Sequence, residues 1–182
     1  MTSQFHRRSI RLQDYDYSQN GAYFITICTN NQIPLFGHVV SGEMILNQIG
    51  QIVQTEWIRT GMLREGIFLD EFVIMPNHVH GILVIDVDEG RGTLRVPIAA
   101  RAQDNIEKFG KPVSNSIASI MRGFKSTTTR QVNQLNGTNN IPVWQRNYYE
   151  HVIRSENDLN AIRIYIEGNT LNWQKDQLFV EY

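Results

Sequence analysis

The chain is short of three things, and each shortage closes off a class of protein. Among its 182 residues there is one cysteine, Cys28. An internal disulfide is therefore impossible and a cysteine-built zinc cluster is excluded, which fits a reducing cytoplasm. No apolar run reaches the ~20 residues that a membrane-spanning helix needs. The opening MTSQFHRRSIRLQDYDYSQ is polar throughout, unlike a secretory leader. An excess of one charge is missing too: 17 Lys and Arg stand against 18 Asp and Glu, a formal charge of −1, so bulk charge does not announce a nucleic-acid binder. Positive charge is nevertheless clustered. HRRSIR at 6–11 holds Arg7, Arg8 and Arg11, and a second scatter holds Arg122, Lys125 and Arg130. Each group suits phosphate contacts and equally suits an ordinary solvated face.

What is present is an ordinary globular mixture, 41% apolar and 19% charged, long enough to bury a core as one domain. Residues 1–20 read as an aperiodic basic arm. AYFITICT (22–29) reads as a strand, FGHVVSGEMIL (36–46) as two short strand pieces about Ser41-Gly42, and 47–62 as a helix capped by Asn47. IFLDEFVIM (67–75) and HVHGILVIDV (78–87) read as a hairpin turned by Pro76-Asn77. Residues 88–111 have no period and read as a long, mobile surface loop. A helix is expected within 111–135, alternation ending in a strand over 143–153, and a helix over 155–169 with Ser155 as its cap. Residues 176–182 are left as a tail. This order, β-α-β-β-α-β at its core, predicts an α+β domain: a ferredoxin-like central antiparallel sheet with packed helices.

The chemistry centres on EFVIMPNHVHGILVI (71–85). Alternate side chains of a strand share a face, so His78 and His80 stand together, ~6.5–7 Å apart at their Cα atoms. Two imidazoles so placed can hold one metal ion. The pattern also suits two half-exposed histidines beside a turn. A third ligand must come from elsewhere, and the last helix offers Asn169, whose carbonyl oxygen suits a hard cation. Tyr165 lies four residues earlier, on the same helix face and ~6 Å away. Its hydroxyl could be a nucleophile, or its ring half-buried packing beside Ile162 and Ile166. Tyr148 and Tyr149 are rival nucleophiles. Trp57 and Trp144 read as core or edge aromatics and His151 as an interior histidine, while His6 and His38 carry no pattern.

VIMPNHVHGIL resembles the His-hydrophobic-His motif of the HUH single-tyrosine transposases. VWQRNYYEHVIRSENDLNAIRIYIEGN, together with RRSIRLQDYDYSQNGAYFITICT and GFKSTTTRQVNQL, resembles one branch of them, the REP-associated tyrosine transposases, over about residues 7 to 173. The resemblance implies that His78, His80 and Asn169 bind Mg²⁺ or Mn²⁺ and that Tyr165 is the nucleophile. It implies cleavage and rejoining of single-stranded, hairpin-forming repeated palindromic DNA through a 5′-phosphotyrosine, leaving a free 3′-hydroxyl. Arg7, Arg8 and Arg11 of the arm, with Arg122, Lys125, Arg130 and Arg146, would contact the DNA. A monomer is implied, with dimers known among relatives. The branch usually has proline after the asparagine, where this chain has Thr170, a change that frees the end of the helix. A hairpin binder without catalysis is the alternative. A histidine-triad nucleotide hydrolase is disfavoured because the next position of that motif is Ile82.

Overall fold

A computed structural model describes residues 16–86 and 114–181. Arg7, Arg8, Arg11 and the expected loop at 88–111 lie outside the described residues.

The described elements begin with β1 (Gly21–Cys28), then a hairpin of β2 (Gly37–Val40) and β3 (Glu43–Leu46), helix α1 (Gln48–Met62), and a second hairpin of β4 (Ile67–Met75) and β5 (His78–Ile85). After the undescribed segment come α2 (Ile117–Leu135), β6 (Tyr149–Ile153) and α3 (Glu156–Glu167). Four strands form the main sheet in the order β4-β5-β1-β6, every neighbour antiparallel. The β2–β3 hairpin is a separate two-stranded sheet, inserted after β1. Without it, the α+β order and strand arrangement are those of the expected ferredoxin-like fold. Among the described residues no helix is long and apolar enough to cross a membrane.

Local chemistry explains these elements. Asn47 accepts a hydrogen bond from Gly50 N at 2.9 Å, and Ser155 caps α3 by accepting from Asp158 N. Such caps are worth ~1 kcal/mol each. α2 begins at Ile117, later than the broad periodic stretch suggested, because Ser116 caps it by accepting from Ser119 N. The expected final strand shrinks to Tyr149–Ile153: before it, Trp144 makes an isolated bridge to Thr29 and Gln145 N donates to Cys28 O, without a continuous ladder.

β5 is buried on both faces along its whole length, as a central strand between two layers must be. On one face Val79, Leu83 and Ile85 join Tyr23, Ile25 and Ile27 against Val53 and Trp57 of α1 and Ile120, Met121 and Phe124 of α2. The other face carries Ala22, Phe24, Ile82, Val84 and Ile153 against Leu159 and Ile166 of α3. His78 and His80 point to this second face.

Gly81, between the histidine face and the core, is required by crowding. A Cβ there would overlap the indole of Trp57 and approach Phe72. Gly81→Ala should cost ~1–3 kcal/mol, as overpacking of a rigid core does. A lowered urea midpoint with an unchanged m-value checks this, and an unchanged midpoint contradicts it.

Candidate active site

His78 and His80 are not half-exposed turn residues; they are 0% and 3% exposed. Their rings meet edge to face at 4.4 Å between centroids. Each is oriented by a second residue. His78 Nδ1 lies 2.8 Å from Asn77 Oδ1. The amide of Asn77 is itself fixed, because its Nδ2 donates to Gln32 O (3.1 Å) and Leu178 O (2.7 Å). Its Oδ1 must therefore accept, so His78 carries its proton on Nδ1. Nε2 of His78 is left with a bare lone pair, buried and without a hydrogen-bond partner. His80 Nδ1 pairs with Thr26 Oγ1 at 2.8 Å, and its Nε2 lies 3.1 Å from the Tyr165 hydroxyl. The fixed tautomer of His78, with a partner on its far nitrogen, is the usual preparation of a metal-binding imidazole.

Helix α3 delivers the phenol and the amide. Asn169 lies just beyond it, 3% exposed; its Nδ2 donates to Asp176 Oδ2 at 3.1 Å, while its Oδ1 is buried without a partner. The angular setting of α3 is pinned two residues before Tyr165. Arg163 donates from Nε (2.8 Å) and Nη2 (2.5 Å) to the two carboxylate oxygens of Asp70 on β4. Asp70 sits where the β4–β5 register slips by one residue, between Leu69 and Phe72. Such a bulge re-aims a side chain. With threonine at 170, helical turns run on: Asn172 N donates to Gly168 O and Asn169 O, and a short 3-10 turn, Trp173–Lys175, follows. That continuation packs Trp173 against His78 and brings Asp176 to the histidines.

Asp176 is the site residue that no motif marked. It arrives across irregular turns, so neither periodicity nor spacing points to it. Ligand atoms of His78, His80 and Asp176 all lie within 4.8 Å of one another. The Oδ1 of Asp176 accepts from Leu178 N, which fixes the carboxylate.

Burial dominates the electrostatics. It pushes His78 and His80 down to about 3, so both are neutral and able to ligate at neutral pH. Burial, seconded by the charge of Asp176, raises Tyr165 above its ordinary range, while the Asn169 amide pulls it back down. The phenol is thus protonated at rest.

The histidine shifts set a pH dependence. An unfolded chain binds protons on these imidazoles below ~6.5, the folded protein only near 3. Between those values the unfolded state holds more protons. Stability therefore falls as pH drops through that window and is level above it, with a slope of up to ~1.4 kcal/mol per pH unit for each histidine. Urea unfolding in chelator from pH ~7 to ~4 should show this, and His78→Gln/His80→Gln should flatten it. A double variant as steep as the wild type would assign the slope elsewhere.

The expected DNA-contacting residues fall into different settings. Arg130 and Arg146 are exposed and line a cleft of about 780 Å³ between α2 and residues 138–146, together with Ser126, Thr129 and Gln134. Arg122 is exposed on α2. Lys125 is turned inward: its Nζ donates to Gln145 O (2.9 Å) and Asn147 O (2.8 Å) and lies 5.4 Å from the Tyr148 ring. Burial brings its ammonium down to about 8. His151 pairs with Asp158 at 3.0 Å on the partly exposed side of α3. Cys28 is a free thiol raised by burial, an unreactive state.

The α+β fold, with its four-stranded antiparallel sheet, is one already known in solved structures. A REP-associated tyrosine transposase bound to a REP hairpin aligns over 90% of this chain and 74% of its own, with a TM-score of 0.56 at 17% identity. No protein-family profile matches the sequence. A protein of Haemophilus influenzae described as uncharacterized is 43% identical over 176 residues, 97% of this chain and 94% of that one. The chain belongs to the same family as that protein.

Proposed function

We propose that the protein is a metal-dependent, single-tyrosine transposase that cleaves and rejoins hairpin-forming single-stranded DNA. One observation carries the reading: the Tyr165 hydroxyl lies 3.1 Å from His80 Nε2, in a site where His78 Nε2 and Asn169 Oδ1 are buried without partners. Buried polar atoms left unsatisfied are costly, and a cation held in the His78–His80–Asp176 cluster would satisfy the His78 nitrogen. The donor set fits Mg²⁺ or Mn²⁺: His78, His80 and Asp176 would hold the ion, with the Asn169 carbonyl as a further candidate, and His80 would exchange its Tyr165 hydrogen bond for the ion. Such an ion supplies charge neutralisation at the scissile phosphate and orients it.

The chain's own residues do the rest. Tyr165 Oη attacks phosphorus; its bond to phosphorus forms as the P–O3′ bond breaks, and the 3′-oxygen leaves as a hydroxyl. The phenolic proton passes to solvent as the attack proceeds and solvent protonates the departing 3′-oxygen, so the proton count is unchanged, and the fixed site keeps the phenolic oxygen aimed at the phosphate. Rejoining is the same displacement run with a 3′-hydroxyl as nucleophile. Asn77 holds His78 in its tautomer, Thr26 orients the His80 ring, and the Asp70–Arg163 pair holds the helix. Arg122, Arg130 and Arg146 contact phosphates, while Lys125 fixes the 145–147 turn. The solved transposase of this fold, bound to its REP hairpin, supports the choice of substrate.

The test is incubation with end-labelled hairpins carrying single-stranded tails, with and without Mn²⁺, followed by denaturing gels. A strand covalently linked to protein, dependent on metal, is expected. Hairpin binding with no linked strand in any divalent metal would make the protein a binder and refute the enzyme.

A further inference from the structure

The sheet face that carries His80 is only partly roofed. α3 covers Ala22, Ile82, Val84 and Ile153. Toward the β6 edge the same face carries Phe24, Thr26 and Tyr149, with Thr26 directly opposite Tyr149 in the register. Here the surface opens into a cavity of about 690 Å³, bounded by Phe24, Tyr149 and Tyr165, by Gln145 and Asn147, and by the 175–178 segment. That volume suits a small organic ligand.

The lining is aromatic in an ordered way. Phe24 is nearly buried and lies against His80 at 5.4 Å between ring centroids. Tyr149 and Tyr165 both stand edge-on to Phe24, at 6.3 and 6.1 Å, and leave 44% and 46% of their surface exposed. The cleavage chemistry accounts for Tyr165 but makes no use of Tyr149. The wall beside Tyr149 is rigid. Gln145 N donates to Cys28 O, while Gln145 O and Asn147 O both accept from Lys125. A half-exposed ring on a fixed strand, beside a cavity edged by carboxamides, is the form of a base-stacking platform.

We propose that this cavity is a subsite for one unpaired nucleobase of the strand that Tyr165 attacks. The base stacks on Tyr149 over the floor made by Phe24, and the carboxamides of Gln145 and Asn147 read its edge. The subsite rests on the DNA-cleaving reading above, and selects which nucleotide stands beside the reacting phosphate.

The probes are a blunt hairpin and the same hairpin with a randomised single-stranded tail containing 5-iodouracil. Tyr149→Ala should weaken binding of the tailed hairpin by ~5- to 150-fold, the range for one lost stack, with blunt-hairpin binding unchanged. Tyr149→Phe should restore affinity, since the ring is retained. Near-ultraviolet irradiation and peptide mapping of the wild type should place the photoadduct on Tyr149. Unfolding midpoints of both variants confirm that the fold is kept. Wild-type affinity of Tyr149→Ala for the tailed hairpin, or photoadducts confined to other peptides, overturns the subsite. A phosphotyrosine still formed in that case leaves the enzyme reading standing. Failure of both hairpins to bind at all overturns both readings.

Discussion

Tyr165→Phe should abolish the covalent protein–DNA adduct, by ~10³-fold or more, while hairpin affinity stays within about twofold of the wild type. The substitution removes one oxygen and keeps the ring. Phe24 at 6.1 Å and His80 at 5.2 Å retain their aromatic neighbour. The lost hydrogen bond to His80 Nε2 is partly exposed and costs ~1 kcal/mol at most. Folding and binding therefore survive, and the nucleophile alone is missing. Neighbouring tyrosines do not replace it, because attack requires an oxygen beside the histidine cluster, and Tyr149 stands on β6 rather than on α3 with Tyr165. Gel shift and denaturing gel on one preparation separate the two effects. Adduct at the wild-type level would transfer the role to another tyrosine, with Tyr149 the first to test.

The second large effect concerns the metal. Mn²⁺ at ~100 times its dissociation constant should stabilise the wild-type fold by ~2.7 kcal/mol, or ~5–11 °C in unfolding midpoint for a domain of this size. His80→Ala should reduce that increment to about 1 °C or less and abolish adduct formation. The variant will be less stable even without metal, because it leaves a cavity and takes the partner of Thr26 Oγ1. The decisive quantity is therefore the metal-induced increment rather than the absolute midpoint. His151→Ala is the control: its ring is on the same sheet face but paired with Asp158 away from the cluster, and the increment should be intact. A full increment in His80→Ala would remove the imidazoles from the ligand set.

Much of this was legible in the sequence where a period enforces geometry. A two-residue period put His78 and His80 on one face of a hairpin strand, and a four-residue spacing put Tyr165 and Asn169 on one side of the last helix. The structure places Tyr165 against His80 and Asn169 against Asp176, whose carboxylate stands beside both histidines. Their near-complete burial was not legible, because it depends on Trp173 folding back over His78. Asp176 was hidden for the same reason: it reaches the histidines through turns whose path no side-chain pattern encodes. Asn77 read as a turn residue, but its amide also sets the His78 tautomer through bonds to residues 45 and 101 positions away. Lys125 shows the reverse. A basic scatter suggested phosphate contact, whereas the ammonium is clamped on two carbonyls. Charge in a sequence reports sign and not direction.

The most direct test of the account is where the DNA is attached. Wild-type protein incubated with tailed hairpin and Mn²⁺, then digested with nuclease and trypsin, should yield a nucleotide on the peptide spanning 164–175, which contains Tyr165. Attachment within 147–154, which contains Tyr148 and Tyr149, or an adduct that forms equally well in chelator, would contradict it.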